Sequence, residues 1–258
     1  MLTYPSIKPY IIKIGSLQIR WYGLMYLLGL ASSYFLAQRE VKRLQLKIDS
    51  DDIENLYFYI FLGMIIGARL GYILFYNLSF YLTNPLEVFE TWHGGMSFHG
   101  GLVGGVTFGI YYCIKRHIDY IKLLDILIPT VPLTLAFGRV GNFINGELYG
   151  RPTEVPWAMV FPDAGLMGRH PSQIYEFLLE GVLLFIILWT AKGRLKTKGA
   201  SLPLFLTLYG CFRIIAEFFR EPDPQVGFFF GIITMGQILS LSMIIAGAII
   251  YRILRKMN

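Results

Sequence analysis

Charge is what this chain has least of: Lys, Arg, Asp and Glu together make up 16% of its 258 residues, while hydrophobic residues make up 55%. Soluble domains carry about a quarter of their residues charged, so this balance excludes an ordinary soluble domain. Cysteine is almost missing. Cys113 and Cys211 both fall inside apolar segments without a CxxC spacing, which excludes a disulfide framework or a thiolate metal centre and reads each as a small buried side chain. With four histidines and neither an HExxH nor a GxSxG sequence, the signatures of zinc and serine hydrolases are absent. No internal repeat is visible, so the paired halves and matching broken helices of many transporters are lacking. The net charge of +6 comes from basic residues scattered through short loops, which argues against nucleic acid as a partner. No metal or organic cofactor is implied.

What is present is a series of long apolar runs. A helix needs roughly 20 mostly apolar residues to cross a hydrocarbon core of about 30 Å. Seven such spans are expected, at about Tyr22 to Gln38, Ile53 to Phe75, Gly95 to Ile114, Leu123 to Gly141, Gln173 to Ala191, Pro203 to Phe219 and Gly231 to Arg252. The expected fold class is an all-α integral membrane protein: one polytopic domain over residues 1–258, with an extracytoplasmic elaboration at 142–172. The first span has no charge between Arg20 and Arg39 and is followed by further spans, so it reads as an anchor and not as a removed signal peptide. Fourteen of the 23 Lys and Arg residues lie in the loops Arg39 to Lys47, Lys115 to Lys122, Lys192 to Lys198 and Arg252 to Lys256. The positive-inside rule makes that side cytoplasmic, with the N-terminus outside and the C-terminus in the cytoplasm.

Ionisable residues within the spans are costly, and here they share one depth. Arg69, His99, Arg139, Glu176, Glu180, Arg213 and Glu217 all fall in the outer half of their helices, which points to a polar cavity within the outer leaflet. Tyr209, Arg213, Glu217 and Arg220 are spaced i, i+4, i+8 and i+11, keeping them on one helical face. Arg213 and Glu217 either neutralise each other or serve the cavity. His99 is either a packing residue on a glycine-rich helix or a functional one. Arg69, flanked by Gly67 and Gly71, either holds helices together or meets substrate.

The most informative segment is GRVGNFINGELYGRPT, Gly138 to Thr153, in which four glycines are interleaved with Arg139, Asn142, Asn145, Glu147, Tyr149 and Arg151. Such a block cannot face lipid, because irregular backbone at membrane depth is tolerated only inside protein or beside a wet cavity. Exposed N–H groups and a planar guanidinium suit an anionic phosphoryl ligand.

At this point the chain resembles a known family, the bacterial prolipoprotein diacylglyceryl transferases. Beside Gly138 to Thr153, the resemblance is carried by RWYGLMY at Arg20 to Tyr26, GARLGY at Gly67 to Tyr72, GGMSFHGG at Gly94 to Gly101, RHPSQIYE at Arg169 to Glu176 and YGCFRIIAEFFREPD at Tyr209 to Asp223. It covers essentially the whole chain. The main departure is a short outer stretch from Thr153 to Arg169, where some members carry longer insertions. The resemblance implies transfer of the diacylglyceryl group of phosphatidylglycerol to the lipobox cysteine thiol of a preprolipoprotein, with a thioether formed and glycerol 1-phosphate released. It also implies a multi-pass protein of the bacterial cytoplasmic (inner) membrane, with its active site toward the outer leaflet. In that reading Arg139 and Arg213 hold the phosphate and offset its charge, while His99 takes or relays the thiol proton. Asn142 and Asn145 supply hydrogen bonds, Glu147 and Glu217 orient the arginines, Tyr22 and Tyr209 shape the headgroup site, Arg220 forms an outer gate, and Arg69 also contacts lipid. The competing reading is a membrane transporter or lipid-binding protein for an anionic substrate.

Overall fold

The computed structural model describes residues 2–5, 7–14, 17–90, 94–222, 227–229 and 232–257. Asp223, which ends the motif begun at Tyr209, and Gly231, the expected start of the last span, lie outside the described residues. The chain is mainly helical. Its helices are α1 (Trp21–Arg43), α2 (Ser50–Tyr76), α3 (Leu78–Thr83), α4 (Phe98–Lys115), α5 (Tyr120–Leu127), α6 (Val131–Asn145), α7 (Ser172–Glu176), α8 (Leu184–Ala191), α9 (Ser201–Glu217) and α10 (Met235–Met257). Among the described residues four continuous stretches are long and apolar enough to cross a membrane: Ser50–Tyr76, Tyr120–Asn145, Ser172–Ala191 and Met235–Met257.

Two of those stretches are not plain α-helix. Pro129 and Pro132 lack the N–H that an α-helical ladder requires, and the chain tightens to a 3-10 turn at Ile128–Thr130 between α5 and α6. Between α7 and α8 the backbone opens to a π-helical stretch, Phe177–Leu183. Gly181 within it lets α6 approach closely, since a Cβ there would lie 2.6 Å from that of Ala136. Among the described residues six short strands add what the all-α expectation did not include: β1 (Leu2–Thr3) pairs with β4 (Met159–Val160), β2 (Tyr10–Ile14) with β3 (Leu17–Arg20), and β5 (Phe228–Phe229) with β6 (Ile233–Thr234). Each is too short to outweigh the helical frame.

Two compact units divide the chain, one of residues 1–37 and 124–258, the other of residues 38–123. In the first, α9 and α10 pack through small residues: a Cβ on Gly210 would lie 2.7 Å from the Ser240 carbonyl oxygen, and one on Gly247 would lie 2.6 Å from Thr207 Oγ1. The opposite face of α10, with Ile238, Leu241, Ile245, Ile249 and Ile253, is exposed and apolar, the inverse of a water-soluble helix. Asp125 caps the start of α9 by accepting from the Gly199 and Ser201 backbone N–H groups at 2.6 and 2.9 Å. Thr234 and Gln237 form a reciprocal capping box at the start of α10. Cys113 is buried as expected, but Cys211 is exposed on the surface of α9.

In the second unit α2 and α4 cross at backbone distance. A Cβ on Gly67 would lie 2.3 Å from the Gly100 carbonyl oxygen, and one on Gly63 would lie 2.4 Å from that of Gly104. Without a hydrophobic driving force between helices in lipid, such close apposition is what holds a pair together.

Candidate active site

The first unit collects three arginines and three glutamates into one buried network. Arg139, on α6, reaches Glu176 through Nε at 2.8 Å and Glu180 through Nη2 at 3.1 Å. Arg213, on α9, reaches Glu176 at 2.9 Å and Glu180 at 3.4 Å through Nη1, and Glu217 at 2.7 Å through Nη2. Arg220, just past the end of α9, reaches Glu176 at 3.4 Å. Glu176 and Glu180 are 0% exposed. Their carboxylates bridge α6 to α9, and the six formal charges cancel. Among the described residues Arg139 keeps its Nη1 group outside these pairs and Arg213 its Nε. Donors therefore remain for an anion entering between them.

The two glutamates expected to orient the arginines have different partners. Glu217 does pair with an arginine. Glu147 instead accepts from Asn142 Nδ2 at 2.8 Å and Asn145 Nδ2 at 3.1 Å. Glu176 and Glu180, recognised from the sequence only as charges at depth, are the carboxylates that both Arg139 and Arg213 share. Their i, i+4 spacing within an apolar run was the available signal.

The polar block is stitched to its neighbours by backbone. Gly146 ends α6 in the left-handed region, at φ 69°, a conformation that costs other residues. Tyr4 donates its hydroxyl to the Phe143 and Ile144 carbonyls at 2.5 and 2.8 Å, satisfying groups a helix C-terminus leaves open, and burial pushes the Tyr4 phenol above its ordinary pKa. Gln173 Nε2 donates to the Glu147 carbonyl at 2.6 Å, and Ser172 Oγ to that of Leu148 at 2.9 Å. At Gly150 the chain passes where no side chain fits: a Cβ would lie 2.4 Å from the Phe219 carbonyl oxygen and 2.7 Å from His170 Cβ. Gly150 N donates to the His170 carbonyl at 2.8 Å, and Arg151 Nε to that of Arg220 at 3.0 Å. The segment thus ties α6, the residues before α7 and the end of α9 together. His170 packs against Phe219, and burial holds its imidazole below the usual pKa.

The remaining candidates are distributed as follows. Tyr22 lies against Gly141 on α6, whose missing side chain admits its ring, and donates to the Tyr26 hydroxyl at 3.2 Å. Tyr209 stands one turn before Arg213 and stacks on Phe205 with ring centroids 5.6 Å apart. His99 and Arg69 belong to the second unit. His99 is exposed in the first turn of α4, with its ring 5.6 Å from that of Phe98. Arg69 is buried, and all its donors go to backbone carbonyls: those of Glu87, Val88, Glu90, Gly94 and Gly95. Its five N–H groups are all engaged there.

A model of the prolipoprotein diacylglyceryl transferase family matches residues 9–253. A phosphatidylglycerol–prolipoprotein diacylglyceryl transferase of Coxiella burnetii is 52% identical over 248 residues, covering 96% of this chain and 95% of that protein. The enzymes of the same name from Desulfotalea psychrophila and Geobacter sulfurreducens are 50% and 48% identical, over 95% of this chain and 92% and 95% of theirs.

Proposed function

The chain belongs to the prolipoprotein diacylglyceryl transferase family, and from that premise we propose that the buried network of Arg139, Arg213, Glu176 and Glu180 is its phosphate site. The protein is a multi-pass membrane transferase of lipoprotein biosynthesis, acting on phosphatidylglycerol and prolipoprotein. In the reaction the cysteine sulfur forms a bond to the glyceryl carbon that carries the phosphate, and that carbon–oxygen bond breaks. The phosphodiester of phosphatidylglycerol bears one negative charge. The departing glycerol 1-phosphate gains a second as its oxygen takes the bonding pair, and the thiol gives up a proton.

Catalysis must therefore stabilise charge that grows on a phosphate in a low-dielectric site. Arg139 and Arg213 do this because their guanidinium planes are already fixed by Glu176 and Glu180 and need no reorganisation when the substrate arrives. A neutral network is part of the design. Mutual pairing offsets part of the desolvation cost of its charges, and the network retains directed N–H groups for the phosphate. Asn142, Asn145 and Glu147 supply the polar rim, Tyr22 and Tyr209 the walls, and Arg220 the outer end beside Gly150. We assign the thiol proton to His99 on the chemistry of imidazole, whose ordinary pKa lies near neutrality. Full activity of His99→Gln would remove that assignment.

The wider placement follows the distribution of basic residues. Seven helices cross the cytoplasmic membrane, the N-terminus lies outside, and the phosphate site opens toward the outer leaflet. The observation that carries the functional reading is the sharing of two fully buried carboxylates by Arg139 and Arg213. Purified protein given phosphatidylglycerol and a lipobox peptide is expected to release glycerol phosphate and to add a diacylglyceryl mass to the cysteine. Release without peptide modification would show a phospholipase instead.

A further inference from the structure

Among the described residues Arg69 is the one buried cation of the second unit, and its surroundings are specific. A guanidinium has five N–H donors. Here Nε donates to the Val88 carbonyl at 2.8 Å, Nη1 to those of Gly94 and Gly95 at 2.7 and 3.2 Å, and Nη2 to those of Glu87 and Glu90. The Tyr81 ring covers the group, with its centroid 5.1 Å from Cζ. The carbonyls of Glu87, Val88 and Glu90 sit at the C-terminal end of the 3-10 helix Pro85–Phe89, where helix carbonyls carry partial negative charge. Arg69 thus caps that helix from α2, and every donor is spent.

The same turn of α2 also fixes the start of α4. Gly94 and Gly95 adopt φ of 88° and 78°, which turns their carbonyls toward Arg69. A Cβ on Gly95 would lie 2.6 Å from the Tyr72 ring and 3.1 Å from Arg69 Nη1. Ser97 N donates to the carbonyl of Ala68, the residue before Arg69, at 2.9 Å, and Ser97 Oγ caps α4 by accepting from Gly100 N at 3.2 Å. Gly71 and Gly100 touch at backbone distance, a Cβ on Gly71 lying 2.8 Å from Gly100 Cα. Arg69 clasps the segment leading into α4, Ala68 hydrogen-bonds its N-cap residue, and Gly71 packs on its first turn. His99 is carried on that first turn.

We propose that Arg69 is a positioning residue for the transfer reaction, which fixes the turn bearing His99 by holding the carbonyls of Glu87, Val88, Glu90, Gly94 and Gly95. The proposal rests on the assignment of the thiol proton to His99. Lysine does not substitute for arginine here, because a single ammonium with three donors cannot span five carbonyls on opposite sides of a planar fork.

The test uses the purified full chain with phosphatidylglycerol and a lipobox peptide, comparing Arg69→Gln, Arg69→Lys, His99→Gln and the Arg69→Gln/His99→Gln double variant, each checked for folding by its Tm. Arg69→Gln is expected to lower kcat by about 10- to 100-fold, the loss that an ångström-scale displacement of a catalytic group produces, while KM for phosphatidylglycerol is unchanged. Arg69→Lys should fall between it and wild type, and Arg69→Gln should add little once His99 is gone. Should Arg69→Gln fail to fold, Arg69→Lys carries the same readings. A raised KM with wild-type kcat would overturn the proposal in favour of a substrate contact. Wild-type kcat in a folded Arg69 variant, or multiplicative losses in the double variant, would overturn it while leaving the His99 assignment standing. Full activity of His99→Gln would overturn that assignment and this proposal with it.

Discussion

Replacing Glu176 by glutamine keeps the shape of the side chain and removes the charge on which three arginines converge. Its carboxylate stands 2.8 Å from Arg139 Nε, 2.9 Å from Arg213 Nη1 and 3.4 Å from Arg220 Nη1, with no solvent exposure. Removing one partner of a buried pair costs about 3–5 kcal/mol, since the other charge is left uncompensated. The lower end applies here, because Arg139 retains Glu180 at 3.1 Å and Arg213 retains Glu217 at 2.7 Å. A loss of about 3 kcal/mol in a chain of this size corresponds to a fall in Tm of about 6–12 °C. Activity should suffer more than stability implies, since the two guanidinium groups proposed to hold the phosphate lose a carboxylate that pairs with both; a drop in kcat/KM of about 100- to 1,000-fold is the scale for losing one preorganised electrostatic contact. Differential scanning fluorimetry and the transfer assay read the two effects separately, with the exposed Glu154→Gln as control. If Glu176→Gln matched that control in both Tm and kcat/KM, the arginines would not depend on Glu176 and the reasoning would fail.

Gly67→Ala should destabilise the second unit by about 1–3 kcal/mol, the usual cost of overpacking, because its new methyl would meet the Gly100 carbonyl oxygen at 2.3 Å; thermal unfolding measures it. Gly146→Ala forces a non-glycine residue to φ 69° and is expected to cost about 1–2 kcal/mol, again read as Tm. His170 has a folded pKa below its ordinary value near 6.5 because it is partly buried. On acidification the unfolded chain therefore takes up the proton first, so His170 contributes stability above pH 6.5 that is lost as pH falls through that value toward its folded pKa. The Tm of wild type is expected to fall more steeply than that of His170→Gln over this window, and parallel curves would contradict the assignment.

Much of this architecture was readable from the chain because lipid imposes one requirement at a time. Apolar runs bounded by basic loops marked the helices, and Arg139, Arg213 and Glu217 stood out because charge inside such runs needs a partner. What the partner is depends on contacts between segments distant in sequence. Arg139 pairs with carboxylates 37 and 41 positions further along, on the next long helix, and no local pattern announces that. The pairing of Glu147 with Asn142 and Asn145 is equally silent in the sequence, because it depends on the turn at Gly146. Arg69 was harder still, since backbone carbonyls have no side-chain identity and cannot be seen as ligands in a sequence. The helix α3 and the 3-10 turn after it were likewise hidden, being too short to show a period.

The central claim is that directed arginine N–H groups, and not positive charge alone, stabilise the departing phosphate. Arg139→Lys/Arg213→Lys retains both charges and loses both planar forks. With phosphatidylglycerol and a lipobox peptide as substrates, and folding confirmed by Tm, the rate of diacylglyceryl transfer by this double variant is the decisive measurement. The account predicts a loss in kcat/KM of about 100-fold or more. Transfer at the wild-type rate would contradict it.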